Sequence, residues 1–235
     1  LFWSPDGMRL AFYRMDQSMV TDYPQVNLFP RIATHEPDKY PMAGQTSHEV
    51  TVGVYDVATN KTVYLKAGDP KDRYFTNVAW SPDSKTIYML ELNRDQNDCR
   101  LVSYDATTGE RTSELYRETD EKYVEPQSPI LFLPWDDSKF VLQSQKDGYN
   151  HLYLFDTEGN ELRQLTKGEW VVLELVGFNA SRESIIIQKR TKRKEMADVD
   201  IAPMIHSVTL TAEDHMIKGT VVVQATKCVQ TGGAS

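Results

Sequence analysis

Hydrolysis by a serine nucleophile needs a serine on a strained elbow, a histidine base beside it and a carboxylate that orients the base. The chain holds all three residue types, including five histidines and 34 Asp and Glu, but not in the spacing that would assemble them. No Gly-x-Ser-x-Gly occurs. His35 and His48 lie in or beside a Pro-rich stretch, where a surface loop is the default. His151 sits in Gly148-Tyr149-Asn150-His151-Leu152-Tyr153, a turn running into a strand, where a structural hydrogen bond is the default. His206 and His215 complete the set. Metal chemistry is disfavoured: there is no His-x-x-x-His, His-Glu-x-x-His or Cys-x-x-Cys. Cys99 and Cys228 read as two free thiols, with a single bridge left open. Asp6, Asp83, Asp136, Asp137 and Asp156 fall at turn positions, where a carboxylate binds local backbone amides, so no acid pair for glycoside chemistry can be picked. Glycine-rich phosphate loops are absent. The residues therefore point to no cofactor, no metal and no catalytic group within this stretch.

The elements that would carry any site are more legible. Trp3-Ser4-Pro5-Asp6-Gly7 returns as Trp80-Ser81-Pro82-Asp83-Ser84, and each copy precedes an apolar run, Leu10 to Tyr13 and Ile87 to Leu90. A strand, a Pro-Asp-Gly-type turn and a second strand make a β-hairpin. Degenerate copies start at Phe132 and Phe178, giving steps of 77 (Trp3 to Trp80), 52 (Trp80 to Phe132) and 46 residues (Phe132 to Phe178). A second signature runs in step: Tyr55-Asp56, Tyr104-Asp105 and Phe155-Asp156, each followed by a turn ending in Asn or Gly and an outgoing strand. Two interleaved hairpins per roughly 50 residues make a four-stranded antiparallel unit, the size of a propeller blade. Helical periodicity is nearly absent. The expected fold is all-β: a partial β-propeller of about four recognisable blades, spanning 1–223. Aromatics at blade positions, among them Trp80, Tyr88, Tyr104, Phe132, Phe140, Tyr153 and Phe155, are expected to pack between sheets.

The first step exceeds the period by about 27 residues, which maps an insertion to 21–48, rich in Pro and polar residues and without strand alternation. Long ordered insertions often carry function. From 189 the pattern becomes irregular, because a charged run replaces the expected hairpin and the next strand start, at 206–212, comes early. Blade four is expected to be shortened or scrambled, and 224–235 reads as a loose tail. The run Lys189 to Lys194 reads as a solvated strand end, with a polyanion site as the alternative.

Composition sets further bounds. Hydrophobic residues make up 40% and charged residues 26%, ordinary globular usage. A net charge of −8 disfavours nucleic acid as a partner. No apolar run approaches the ~20 residues of a membrane span. The chain starts inside a repeat, without Met or a leader, so its native beginning is expected to lie upstream.

Phe2-Trp3-Ser4-Pro5-Asp6-Gly7, then Leu10 to Asp16, Tyr23-Pro24 and Tyr40-Pro41-Met42-Ala43-Gly44, together resemble the N-terminal propeller of dipeptidyl peptidase IV-type prolyl oligopeptidases. Asp147-Gly148-Tyr149-Asn150-His151-Leu152-Tyr153 is similar to a strand two blades later in that family. The resemblance covers about 1–188. It implies a serine exopeptidase that releases X-Pro or X-Ala dipeptides from the N-terminus of peptides. It further implies a catalytic triad in an α/β-hydrolase domain outside this chain, and an acidic amine-binding pair upstream of Trp3. The chain alone is then expected to be catalytically silent. By the same resemblance, Tyr123 and Glu125 fall near a loop that reaches the substrate cavity, with an ordinary interblade loop as the alternative. Tyr23, Tyr40, Pro41 and Gly44 mark the insertion as a docking element for the hydrolase domain or for a second subunit in a homodimer. A periplasmic or cell-surface location is implied. The rival reading is a non-enzymatic TolB- or WD40-like propeller acting as an interaction scaffold, told apart by the absence of a downstream serine elbow.

Overall fold

The computed structural model describes residues 1–191 and the backbone of two further strands, Ile205–Glu213 and Met216–Gln224. Four sheets of four antiparallel strands account for nearly all of it. The first comprises β1 (Phe2–Trp3), β2 (Arg9–Asp16), β7 (Glu49–Asp56) and β8 (Lys61–Tyr64); between β2 and β7 lie the short strands β3 (Asp22–Tyr23), β4 (Val26–Asn27), β5 (Thr34–His35) and β6 (Asp38–Lys39). The second comprises β9 (Arg73–Trp80), β10 (Thr86–Asn93), β11 (Asp98–Asp105) and β12 (Arg111–Thr119). The third comprises β13 (Leu131–Leu133), β14 (Asp136–Ser144), β15 (His151–Asp156) and β16 (Glu161–Gln164). The fourth comprises β17 (Val171–Asn179), β18 (Ser184–Thr191), β19 (Ile205–Glu213) and β20 (Met216–Gln224). The first three sheets run in chain order. In the fourth, β20 pairs with β18 and β19 lies at the edge. This is the all-β, partial-propeller architecture expected from the repeats.

The recurring Ser-Pro-Asp has a local physical cause. In the first copy the Ser4 N–H donates to the Arg9 carbonyl and the Arg9 N–H donates to Ser4 Oγ, both at 2.9 Å. Ser4 Oγ donates to Asp6, and the Met8 N–H caps the same carboxylate at 2.9 Å. The second copy repeats the set: Ser81 N–H to Thr86 O and Thr86 N–H to Ser81 Oγ at 2.9 Å, Ser81 Oγ to Asp83 at 2.6 Å, and Lys85 N–H to Asp83 at 3.1 Å. One serine thus closes the hairpin from both sides, and the proline fixes φ at the turn. Gly7 (φ 70°) and Ser84 (φ 63°) both take the left-handed conformation. Ser84 has a use for its side chain: its hydroxyl accepts the Asp6 N–H of the other turn at 3.1 Å, tying the two blades together. The aromatic-Asp signature works the same way. Asp56 accepts the Thr59 N–H, Asp105 those of Thr107 and Thr108, and Asp156 those of Glu158 and Asn160.

The chain divides into two compact units, Leu1–Pro129 and Ile130–Ser235. In the first, Ala11, Val52, Val54, Phe75, Val78, Trp80, Ile87, Met89, Val102 and Tyr104 fuse into one core between the first and second sheets. Trp80 Nε1 donates to the Phe2 carbonyl at 3.0 Å across that core. In the second, Val141, Leu152, Leu154, Leu165, Val172, Ile185 and Ile187 join the third and fourth sheets. Of the aromatics expected in the core, all named above are buried except Phe132, which is half-buried.

Candidate functional site

The insertion is not the loop without strands that its composition suggests. It is a β-ribbon, with Asp22 opposite Lys39, Tyr23 opposite Asp38, Val26 opposite His35 and Asn27 opposite Thr34. Strands two residues long are too short to show alternation, and cross-strand pairs replace it. Lys39 Nζ bridges the Asp22 carboxylate and the Val20 carbonyl, both at 2.9 Å. Tyr23 and Tyr40 meet edge-on, ring centroids 5.9 Å apart. Pro41 leads into a turn closed by the Gln45 N–H on the Met42 carbonyl at 2.9 Å, and Gly44 supplies the positive φ of 75° that this turn needs. At the far end Leu28, Phe29 and Ile32 stand in solvent, Phe29 fully exposed. The four insertion residues singled out in the sequence therefore shape the base of one projecting arm.

The arm's base is held by the β10–β11 turn, residues 94–97. The Arg94 guanidinium donates to the Gln45 carbonyl and to Asp72 Oδ1, the latter at 2.6 Å, while the Arg94 N–H meets the Asp72 carbonyl at 3.0 Å. The other side of the same turn holds the segment after β12. The Val124 N–H donates to the Gln96 carbonyl at 2.6 Å and the Asp120 N–H to the Asn97 carbonyl at 3.2 Å. Asn77 Nδ2 reaches the Pro126 carbonyl at 3.3 Å. Val124 is buried, which anchors the segment and leaves its neighbours Tyr123 and Glu125 exposed. One four-residue turn thus sets the arm and the Tyr123–Glu125 segment side by side on one rim. Arg94 carries this arrangement. Nothing in its sequence context marks it, because its partners are a backbone carbonyl 49 residues away and a carboxylate 22 residues away.

Among the described residues the histidines do not gather. His35 is exposed on the arm. His151 is fully buried in β15, where Nε2 meets the Gly168 carbonyl at 2.9 Å and Nδ1 meets Thr166 Oγ1 at 3.0 Å. A carbonyl only accepts, so the proton sits on Nε2 and Nδ1 accepts from the Thr166 hydroxyl, which itself accepts the Leu152 N–H at 3.0 Å. The ring stands edge-on to Trp170, centroids 4.8 Å apart. This is a structural histidine with both nitrogens used. Cys99 is a free, buried thiol pushed up to about 12 by burial, and so is not a nucleophile. Cys228, His206 as a side chain and the end of the Lys189–Lys194 run lie outside the described residues. Asp6, Asp83, Asp136 and Asp156 all accept local backbone N–H groups as expected. Asp137 makes no such bond among the described residues.

Residues 1–211 match the sequence model of the dipeptidyl peptidase IV (DPP IV) N-terminal region. A protein of Phaeosphaeria nodorum named probable dipeptidyl-aminopeptidase B is 28% identical over 222 residues, which cover 83% of this chain and 24% of the relative. The inactive dipeptidyl peptidase 10 of Rattus norvegicus is 28% identical over 207 residues, 78% of this chain and 25% of that protein. Among solved structures, a Bacteroides ovatus protein described as a "putative dipeptidyl aminopeptidase IV" superposes with a TM-score of 0.82 at 45% identity, over 96% of this chain and 31% of its own. Porphyromonas gingivalis dipeptidyl peptidase 4 gives 0.70 at 27% identity, over 80% of this chain and 26% of its own. The chain therefore spans roughly a quarter to a third of the proteins it matches. On the family match and on these folds, the chain belongs to the dipeptidyl peptidase IV N-terminal region family.

Proposed function

We propose that this chain is the propeller part of a serine exopeptidase that releases X-Pro and X-Ala dipeptides, and that it governs access and docking while bond cleavage is done elsewhere in the protein. The observation that carries this reading is the shared rim: the 94–97 turn holds the arm on one side and the exposed Tyr123–Glu125 segment on the other. A rigid sheet end with a projecting arm suits contact with a hydrolase domain or a second subunit, and the Glu125 carboxylate offers a counter-charge to a peptide ammonium group. Asp6, Asp83, Asp136 and Asp156 are held in turns and His151 in the core, so these groups serve the scaffold. A non-enzymatic TolB- or WD40-like scaffold is not favoured, because the matched relatives are named as dipeptidyl peptidases and aminopeptidases.

The test is steady-state kinetics of the full-length protein on Gly-Pro and Ala-Pro chromogenic substrates. Tyr123→Ala and Glu125→Gln are expected to raise KM several-fold with kcat kept. Unchanged KM in both variants would remove these residues from the substrate's path.

A further inference from the structure

A cavity of about 320 Å³ opens where the second sheet faces the link between β8 and β9, among Ala67, Arg73, Glu91, Asp98, Arg100 and Arg111. Three guanidiniums and two carboxylates line it, and a third carboxylate, Glu114, meets Arg100 and Arg111 at its edge. Both carboxylates are already used. Glu91, buried in β10, accepts from Arg73 and from the Tyr104 hydroxyl. Asp98 accepts from Arg100 at 3.1 Å and, through both oxygens, from Arg117 at 2.9 Å. Arg73 is likewise spent, on Glu91 and on the carbonyls of Ala67 and Asp69.

Arg111 is different. Its Nη2 meets Glu114 at 3.0 Å, while Nε and Nη1 have no partner among the described residues. Arg100 Nη1 reaches the same Glu114 oxygen at 3.4 Å. The two guanidiniums therefore stand close enough to share one carboxylate oxygen, and Arg111 keeps a second pair of donors for another. Planar guanidinium forks match two-oxygen anions in geometry as well as charge.

We propose that this cavity binds a small oxyanion, a carboxylate or phosphate of up to about ten non-hydrogen atoms, with Arg111 as its main ligand and Arg100 as the second. The size follows from the volume, since a water molecule takes about 30 Å³ of liquid. Internal neutralisation of Glu91 and Asp98 removes the repulsion that a dianion would otherwise meet. The lining comes from all four strands of the second sheet and from Ala67 on the link before it.

The experiment is calorimetric titration of the full-length protein with succinate and, separately, with inorganic phosphate, against sodium chloride at matched ionic strength. Saturable binding is expected, weakened at least tenfold in Arg111→Ala and less in Arg111→Lys, with the circular dichroism spectrum of both variants unchanged. Preference for succinate or for phosphate identifies which oxyanion the fork fits. The proposal is overturned if neither anion gives a saturable heat beyond chloride, or if both Arg111 variants bind as the parent does. None of these outcomes depends on peptidase activity.

Discussion

Replacing Arg94 by alanine should free the arm while leaving the rim in place. The side chain makes two contacts, with the Asp72 carboxylate and with the Gln45 carbonyl. The ion pair is part-exposed, 29% for Arg94 and 47% for Asp72, so it belongs with surface pairs worth about 0.2–1 kcal/mol. The charged donor on the Gln45 carbonyl adds about 1 kcal/mol. Together they give roughly 1.2–2 kcal/mol of local stability, a factor of about 8–30 in the opening of the arm's base. The Arg94 N–H to Asp72 carbonyl bond survives the substitution, and so does the Val124 N–H to Gln96 bond. Hydrogen exchange by NMR or mass spectrometry separates the two sides. The Gln45 amide, bonded to Met42, should exchange about 8–30 times faster in Arg94→Ala. The Val124 amide should not change. If Gln45 keeps its protection, or if Val124 loses its own to the same extent, the turn does not hold the arm through this side chain.

Three further outcomes are expected. Gly109 has φ 72° and a Cβ there would collide with the Tyr64 carbonyl of the first blade, so Gly109→Ala should cost more than about 2 kcal/mol in urea unfolding; a cost below 0.5 kcal/mol would contradict the close approach. His151→Ala removes a buried ring and strands the Gly168 carbonyl and the Thr166 hydroxyl, a loss of about 3–5 kcal/mol, whereas His35→Ala on the exposed arm should be near neutral; equal effects would refute the buried network. The Arg117 guanidinium, with Arg100, holds the Asp98 carboxyl down to about 2 from its ordinary 3.8. A carboxylate depressed in the folded state stabilises above its unfolded pKa and loses that stabilisation as pH falls. The gap between parent and Asp98→Asn, about 1 kcal/mol after solvent screening, should be full at pH 5 and close between pH 4 and 2; a gap that widens on acidification would reverse the assignment.

What could be read in the sequence was what is held together locally. Ser4-Pro5-Asp6 and Ser81-Pro82-Asp83 close their hairpins with bonds spanning five residues or fewer, so the pattern of types is the structure. The same holds for the Asp56, Asp105 and Asp156 turns. The 21–48 arm was legible as an insertion but not as a ribbon, because its two-residue strands leave no alternation and depend on pairs such as Asp22–Lys39. The rim was hidden for a different reason. Its links run from Arg94 to a main-chain carbonyl at Gln45 and from Val124 to one at Gln96, and a carbonyl carries no residue type. The Arg73, Arg100 and Arg111 cavity is equally silent, since its members come from three strands and meet only when the sheet forms. The exchanged order of β19 and β20 follows a charged stretch that gives no turn pattern to read.

The proposal that this chain shapes the approach to a dipeptide-releasing active site outside it can be tested directly. The most direct measurement sets the chain and the full-length protein side by side on Gly-Pro p-nitroanilide. Steady release of nitroaniline is expected from the full-length protein, and none above background from the chain. Turnover by the chain alone, or none by the full-length protein, would contradict it.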